Sequence, residues 1–115
     1  MASAAGDDRA AGATVRQVLE LTAAARLLPA DDLAALRARW PESKLGDDGG
    51  ELARSLVRSG KLTKHQAAAL YQNQAKALSV GEYVLLERIG SGGIGTVYKA
   101  RKHDGLELVA VKVLN

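Results

Sequence analysis

Three glycines, Gly90, Gly92 and Gly95, with strand formers on both sides, constrain this 115-residue chain more than any other feature. Tyr83–Ile89 ahead of them and Thr96–Arg101 behind them are rich in β-branched, aromatic and long apolar residues, as strands are. Thr96-Val97-Tyr98 follows Gly95 at once, with no helix cap in sight. Asp104-Gly105 is a dipeptide preferred in tight hairpin turns, and Leu106–Leu114 is apolar except at Glu107 and Lys112. The spacing predicts strand, glycine flap, strand, tight turn and strand: an antiparallel meander.

Within the third strand, Ala110 and Lys112 are two apart and share one face, while Val109, Val111 and Val113 take the other. A lysine on a buried face is costly without an anionic partner, and a phosphate would be one. Glycine removes the Cβ and permits positive φ, so successive backbone N–H groups at Gly90–Gly95 can turn toward oxygen. Other glycine motifs fit less well. In a dinucleotide-binding fold the last glycine opens a helix, with an acidic residue about 20 positions on. A Walker-type loop needs lysine where Thr96 stands. A glycine-rich hairpin without a ligand is the plainer alternative.

Gly90–Val97 together with Val109–Lys112 resembles the start of a Hanks-type serine/threonine protein kinase domain. The resemblance covers roughly the last third of the chain. It implies that Gly90, Ser91, Gly92, Gly93, Ile94, Gly95 and Thr96 form a flap over the phosphates of ATP. It further implies that Ile89, Val97 and Ala110 enclose the adenine and that Lys112 pairs with phosphate. Ile94 stands at the flap tip, where such kinases usually carry methionine or an aromatic residue. Mg²⁺ is implied as well, but the family's metal ligands, catalytic aspartate and lysine-pairing glutamate have no counterpart in this sequence. The chain is therefore expected to be the front end of a kinase, inactive alone and a weak binder of ATP; a protein substrate belongs to the intact enzyme.

Composition sets further bounds. Cysteine is absent, which excludes disulfides and thiolate metal sites. The net charge of +3 arises from 16 basic and 13 acidic residues intermixed along the chain. No basic stripe interleaved with aromatics accompanies it, so nucleic acid is not an expected partner. His65 and His103 have no partners at metal-ligand spacing and read as solvated surface groups. No apolar run approaches the roughly 18 residues of a membrane span, and no signal pattern opens the chain; a cytoplasmic location is the default expectation.

Met1–Ala13 reads as a disordered leader. Thr14 can cap a helix from Val15 to about Ala25 with Val15, Val18, Leu19 and Thr22 on one face. Pro29 suits a first helical position, Leu33, Leu36 and Trp40 form a stripe, and Pro41 ends that helix. The aspartates of Pro41–Gly50 can cap a third helix, Glu51–Ser59, with Leu52, Leu56 and Val57 inward and Gly60 as its stop. Thr63 and Gln66 fit a capping box for a fourth helix to about Ala75, with Ala67, Leu70 and Tyr71 inward.

Leu28–Leu36 matches Leu62–Leu70 at an offset of 34 residues, so the helices read as two tandem hairpins. Together they resemble the small module ahead of the kinase domain in planctomycete-type bacterial kinases, which carries a Leu-Thr-x-x-Gln segment. The expected architecture is α+β. A small antiparallel four-helix module (14–76) and a linker (77–82) precede a three-stranded antiparallel sheet (83–115), the start of a protein kinase N-lobe. The alternative function is a non-catalytic helical interaction module with a vestigial kinase start. The strand part, with two open edges, is expected to aggregate or remain disordered when isolated.

Overall fold

The structure, a computed structural model, describes residues 12–103 and 105–115. Residues 1–11 of the leader lie outside the described residues. Ala13 does not behave as leader: it is buried, its N–H donates to the Tyr71 carbonyl at 2.8 Å and its own carbonyl accepts from Gly49 N.

Among the described residues four α-helices come first. α1 (Val15–Ala24) starts at a reciprocal cap, in which Gln17 N donates to Thr14 Oγ1 at 3.2 Å and Thr14 N donates to Gln17 Oε1 at 2.9 Å. Its buried residues are Val15, Val18, Leu19 and Thr22, the stripe that the 3.6-residue period gives. α2 (Ala30–Arg39) has Pro29 as its extended N-cap, not as its first helical residue. Asp31 and Asp32 in its first turn and Arg37 and Arg39 in its last complement the helix dipole. Leu36 is buried, and Leu33 and Trp40 pack partly buried against the same core. α3 (Gly50–Arg58) is preceded by Asp48, whose Oδ2 accepts from Gly50 N at 3.0 Å. It buries Leu52, Ala53 and Leu56. α4 (Lys64–Tyr71) carries the expected capping box between Thr63 and Gln66.

α4 stops earlier than expected, at Tyr71, because Asn73 adopts a left-handed φ of 59°. Its buried side is Gln66, Ala67, Ala69 and Leu70. Tyr71, expected inward, is half-buried with its hydroxyl donating to Asp48 Oδ1 at 2.6 Å. A polar tip turned outward costs less than one buried unpaired.

The 34-residue repeat is physical. Arg26 and Gly60 occupy equivalent left-handed positions, with φ of 57° and 76°. After α1, Leu27 N donates to Thr22 O and Arg26 N to Ala23 O; after α3, Lys61 N donates to Leu56 O and Gly60 N to Val57 O. Both are Schellman endings, which satisfy carbonyls that the helix leaves unpaired. Leu36 and Leu70, also 34 apart, are both buried.

Among the described residues the sheet has four strands, not three. β1 (Ser79–Val80), β2 (Tyr83–Gly92), β3 (Gly95–Lys102) and β4 (Leu108–Leu114) lie antiparallel in chain order. The extra strand falls within the segment read as linker: a 3₁₀ turn at Ala75–Leu78 feeds β1, which pairs Ser79 with Val84 and Val80 with Tyr83. Gly81, at φ 57°, makes the two-residue turn between them possible. The connection from β3 to β4 is longer than a tight turn. Arg101 pairs with Leu108, so β4 begins two residues later than expected; Asp104 lies outside the described residues. Leu78 and Val84 join the helical core that includes Val15, Val18, Leu52, Leu56 and Leu70, so helices and sheet share one apolar interior.

Candidate functional site: a glycine hairpin and a lysine on one open face

The glycine segment is a continuation of strands. β2 and β3 stay paired to the tip, through Gly90 with Val97, Ser91 with Thr96 and Gly92 with Gly95, so Gly93 and Ile94 form the turn. Register shifts lie between Leu85 and Glu87 and between Arg88 and Gly90. Such bulges, at Leu86 and Ile89, raise local twist and re-aim the strand. Asn115 ties the tip to the end of β4: its N–H donates to Ile94 O at 3.1 Å and its Nδ2 to Gly93 O at 3.0 Å.

The register aligns the candidate residues in rows, because paired residues of an antiparallel sheet point to the same face. Gly90, Val97 and Lys112 form one row across three strands; Arg88, Tyr98 and Val111 form the next, on the opposite face, and Glu87, Lys99 and Ala110 the one after, back on the first face. Val97, Ala110 and Lys112 therefore share a face. Ile89 does not join a row: it sits at the bulge and is 62% exposed. Ile94 at the tip is 66% exposed.

The Ala110–Lys112 face is the open side of β4, contrary to the buried face expected from its composition. Leu108, Ala110, Lys112 and Leu114 are exposed while Val109, Val111 and Val113 are half-buried. Among the described residues Lys112 has no carboxylate partner; Lys99 on the same face pairs with Glu87 at 3.4 Å. That pair is solvent-exposed and contributes little to stability.

The glycines divide into two kinds. A Cβ on Gly95 would fall inside van der Waals contact of the Val113 carbonyl oxygen, so β4 itself requires glycine there. A Cβ on Gly90, Gly92 or Gly93 would meet nothing within 4 Å, and none of the three has the left-handed φ anticipated for a flap. Packing and backbone conformation thus leave these three glycines unexplained. What they provide is a side-chain-free strip of backbone on an open surface.

Behind this strip the structure shows contacts that sequence reading missed. Thr63 Oγ1 donates to Leu86 O at 2.5 Å and Gln66 Nε2 donates to Leu85 O at 3.2 Å. The capping pair of α4 thus also grips the strand that leads into the glycine hairpin, at its bulge. His65 is no free surface group: its ring lies 5.5 Å from that of Tyr98. The signal was present only as the Leu-Thr-x-x-Gln segment, whose long-range partners are invisible to local pattern.

Part of this chain is similar to a protein kinase. Over 47 residues it is 45% identical to "Serine/threonine-protein kinase Nek10" of Homo sapiens and 40% identical to the Mus musculus protein of the same name. The matched stretch is 41% of this chain and 4% of either relative, so the chain spans a small fraction of their length. No protein-family model matches the chain, and no solved structure matches it. Among the described residues no helix is long and apolar enough to cross a membrane.

Proposed function

We propose that the outer half of the sheet is the nucleotide-binding start of a serine/threonine kinase small lobe. ATP would lie on the open face. The backbone of Gly90–Gly95 would cover its phosphates, the Lys112 amine would grip them, and Val97 and Ala110 would form one wall for the adenine. Ile89, exposed at its bulge, would close over the base only as the hairpin bends.

The observation that supports this most is the row Gly90–Val97–Lys112 beside three glycines with no internal steric reason. A phosphate approaching backbone N–H groups supplies that reason, and an amine held on a neighbouring strand supplies the countercharge. The partial similarity to a serine/threonine kinase points the same way.

The sequence holds no phenylalanine, hence no Asp-Phe-Gly metal site, and no His-Arg-Asp triplet, so this chain by itself transfers no phosphoryl group. Its site has one wall, and its affinity is weak. The test is an amide NMR titration of the full chain with MgATP at millimolar concentration. Shifts confined to residues 90–97 and 110–112, and abolished in Lys112→Ala, are expected. Shifts centred on the helices, or identical in the variant, would refute the reading.

A further inference from the structure

α4 has two sides in use. Thr63, at its cap, and His65 and Gln66 meet the sheet. The other side faces α3 across a groove of about 390 Å³. Ala53, Val57, Ala67, Ala68 and Tyr71 line its floor, and Arg54, Arg58 and Lys64 stand at its rim.

The floor is carbon and the side chains there are small, so an incoming backbone can come close and set one or two anchor side chains between the helices. The rim is cationic. Glu51 lies 3.8 Å from Arg54 and 3.6 Å from Arg58, but all three side chains are more than half exposed. Pairs of this kind contribute little and exchange readily with another carboxylate. Lys64 has no carboxylate partner among the described residues.

An apolar trough bounded by cations complements an amphipathic helix whose apolar row is flanked by acidic side chains. Nucleic acid would satisfy the rim and leave the floor bare. Among the described residues a second copy of this chain offers no matching helix: α2 has Asp31 and Asp32, but Leu36 on its apolar side is already buried. We infer that the α3–α4 groove docks an acidic amphipathic helix of a partner protein. The inference stands apart from the nucleotide reading, because the groove and the glycine hairpin share no residue.

The test uses the full chain and a fluorescein-labelled synthetic helix. Leucines in the peptide are spaced i, i+3, i+4 and i+7, with glutamates beside them. Saturable anisotropy binding is expected, weakened about tenfold or more by Arg54→Glu with Arg58→Glu and by Ala68→Glu, with unchanged thermal melts. Ala68 is exposed, so its variant is expected to fold; should it not, Lys64→Glu on the rim gives the same readout. The inference is overturned by any of four results. They are no binding, equal binding of a peptide with lysines for glutamates, binding indifferent to the substitutions, or sedimentation showing a dimer that Ala68→Glu dissociates.

Discussion

The side-chain amide of Gln66, only 3% exposed, donates to the main-chain carbonyl of Leu85, nineteen residues away. Its oxygen meanwhile accepts from Thr63 N at 3.1 Å, so both ends of one amide are spent, one on a helix cap and one on a strand. Replacing it separates the two roles. Gln66→Ala is expected to cost about 1–3 kcal/mol in urea unfolding, since buried groups lose partners. Gln66→Glu keeps the acceptor for Thr63 N but sets a carboxylate against the Leu85 carbonyl, and is expected to be the more damaging at neutral pH. Equal stability of Gln66→Glu and the parent chain would mean that this contact does not hold in solution.

Gly95 and Gly92, neighbours across the tip of one hairpin, should respond oppositely to alanine. Gly95→Ala forces β4 away from β3, and a loss of about 1–3 kcal/mol is expected from overpacking. Gly92→Ala projects into open space, and its thermal melt is expected to stay within about 0.5 kcal/mol of the parent. If Gly92 serves a ligand, that same variant weakens ATP-induced NMR shifts while leaving the fold intact.

Arg26 holds a left-handed conformation that Gly60 holds without strain in the second hairpin. Arg26→Gly is expected to stabilise the chain by about 1 kcal/mol, because a side chain in that region is penalised by its own carbonyl. Chemical denaturation measures it directly; destabilisation would show that the arginine side chain contributes more than its backbone costs.

Asp48 and Tyr71 make stability depend on pH at both extremes. The Tyr71 hydroxyl and, secondarily, Gly50 N hold the Asp48 carboxyl below its usual range. Its contribution is present above the unfolded value of about 3.9 and is lost as pH falls through the lower folded value. The same bond to Asp48 raises the Tyr71 phenol, so that contribution is complete below about 10 and is lost as pH rises through the folded value. The melting-temperature gap between the parent chain and Tyr71→Phe should therefore be flat near neutrality and narrow in strong acid and strong base. A gap independent of pH would contradict the pairing.

What sequence could and could not show follows from range. Thr14, the Thr63–Gln66 box and Gly60 announce helix ends through residues three or four apart, and all were legible. The alternation in β4 gave the two faces correctly but not which was open, because its composition says nothing of what lies above it. Ser79–Val80 is too short to register as a strand, and Arg26 hides a glycine-like backbone behind a charged side chain. The grip of Gln66 on Leu85 depends on the folded path between them. The nucleotide residues were proposed from motif; the structure brings Gly90, Val97, Ala110 and Lys112 onto one face and leaves Ile89 at a bulge.

α4 is eight residues long, about 12 Å, too stubby to flex along its length. One flank is committed to β2 and to the ring of Tyr98, and the other faces α3, so a single short rod sets the spacing between the sheet and the third helix.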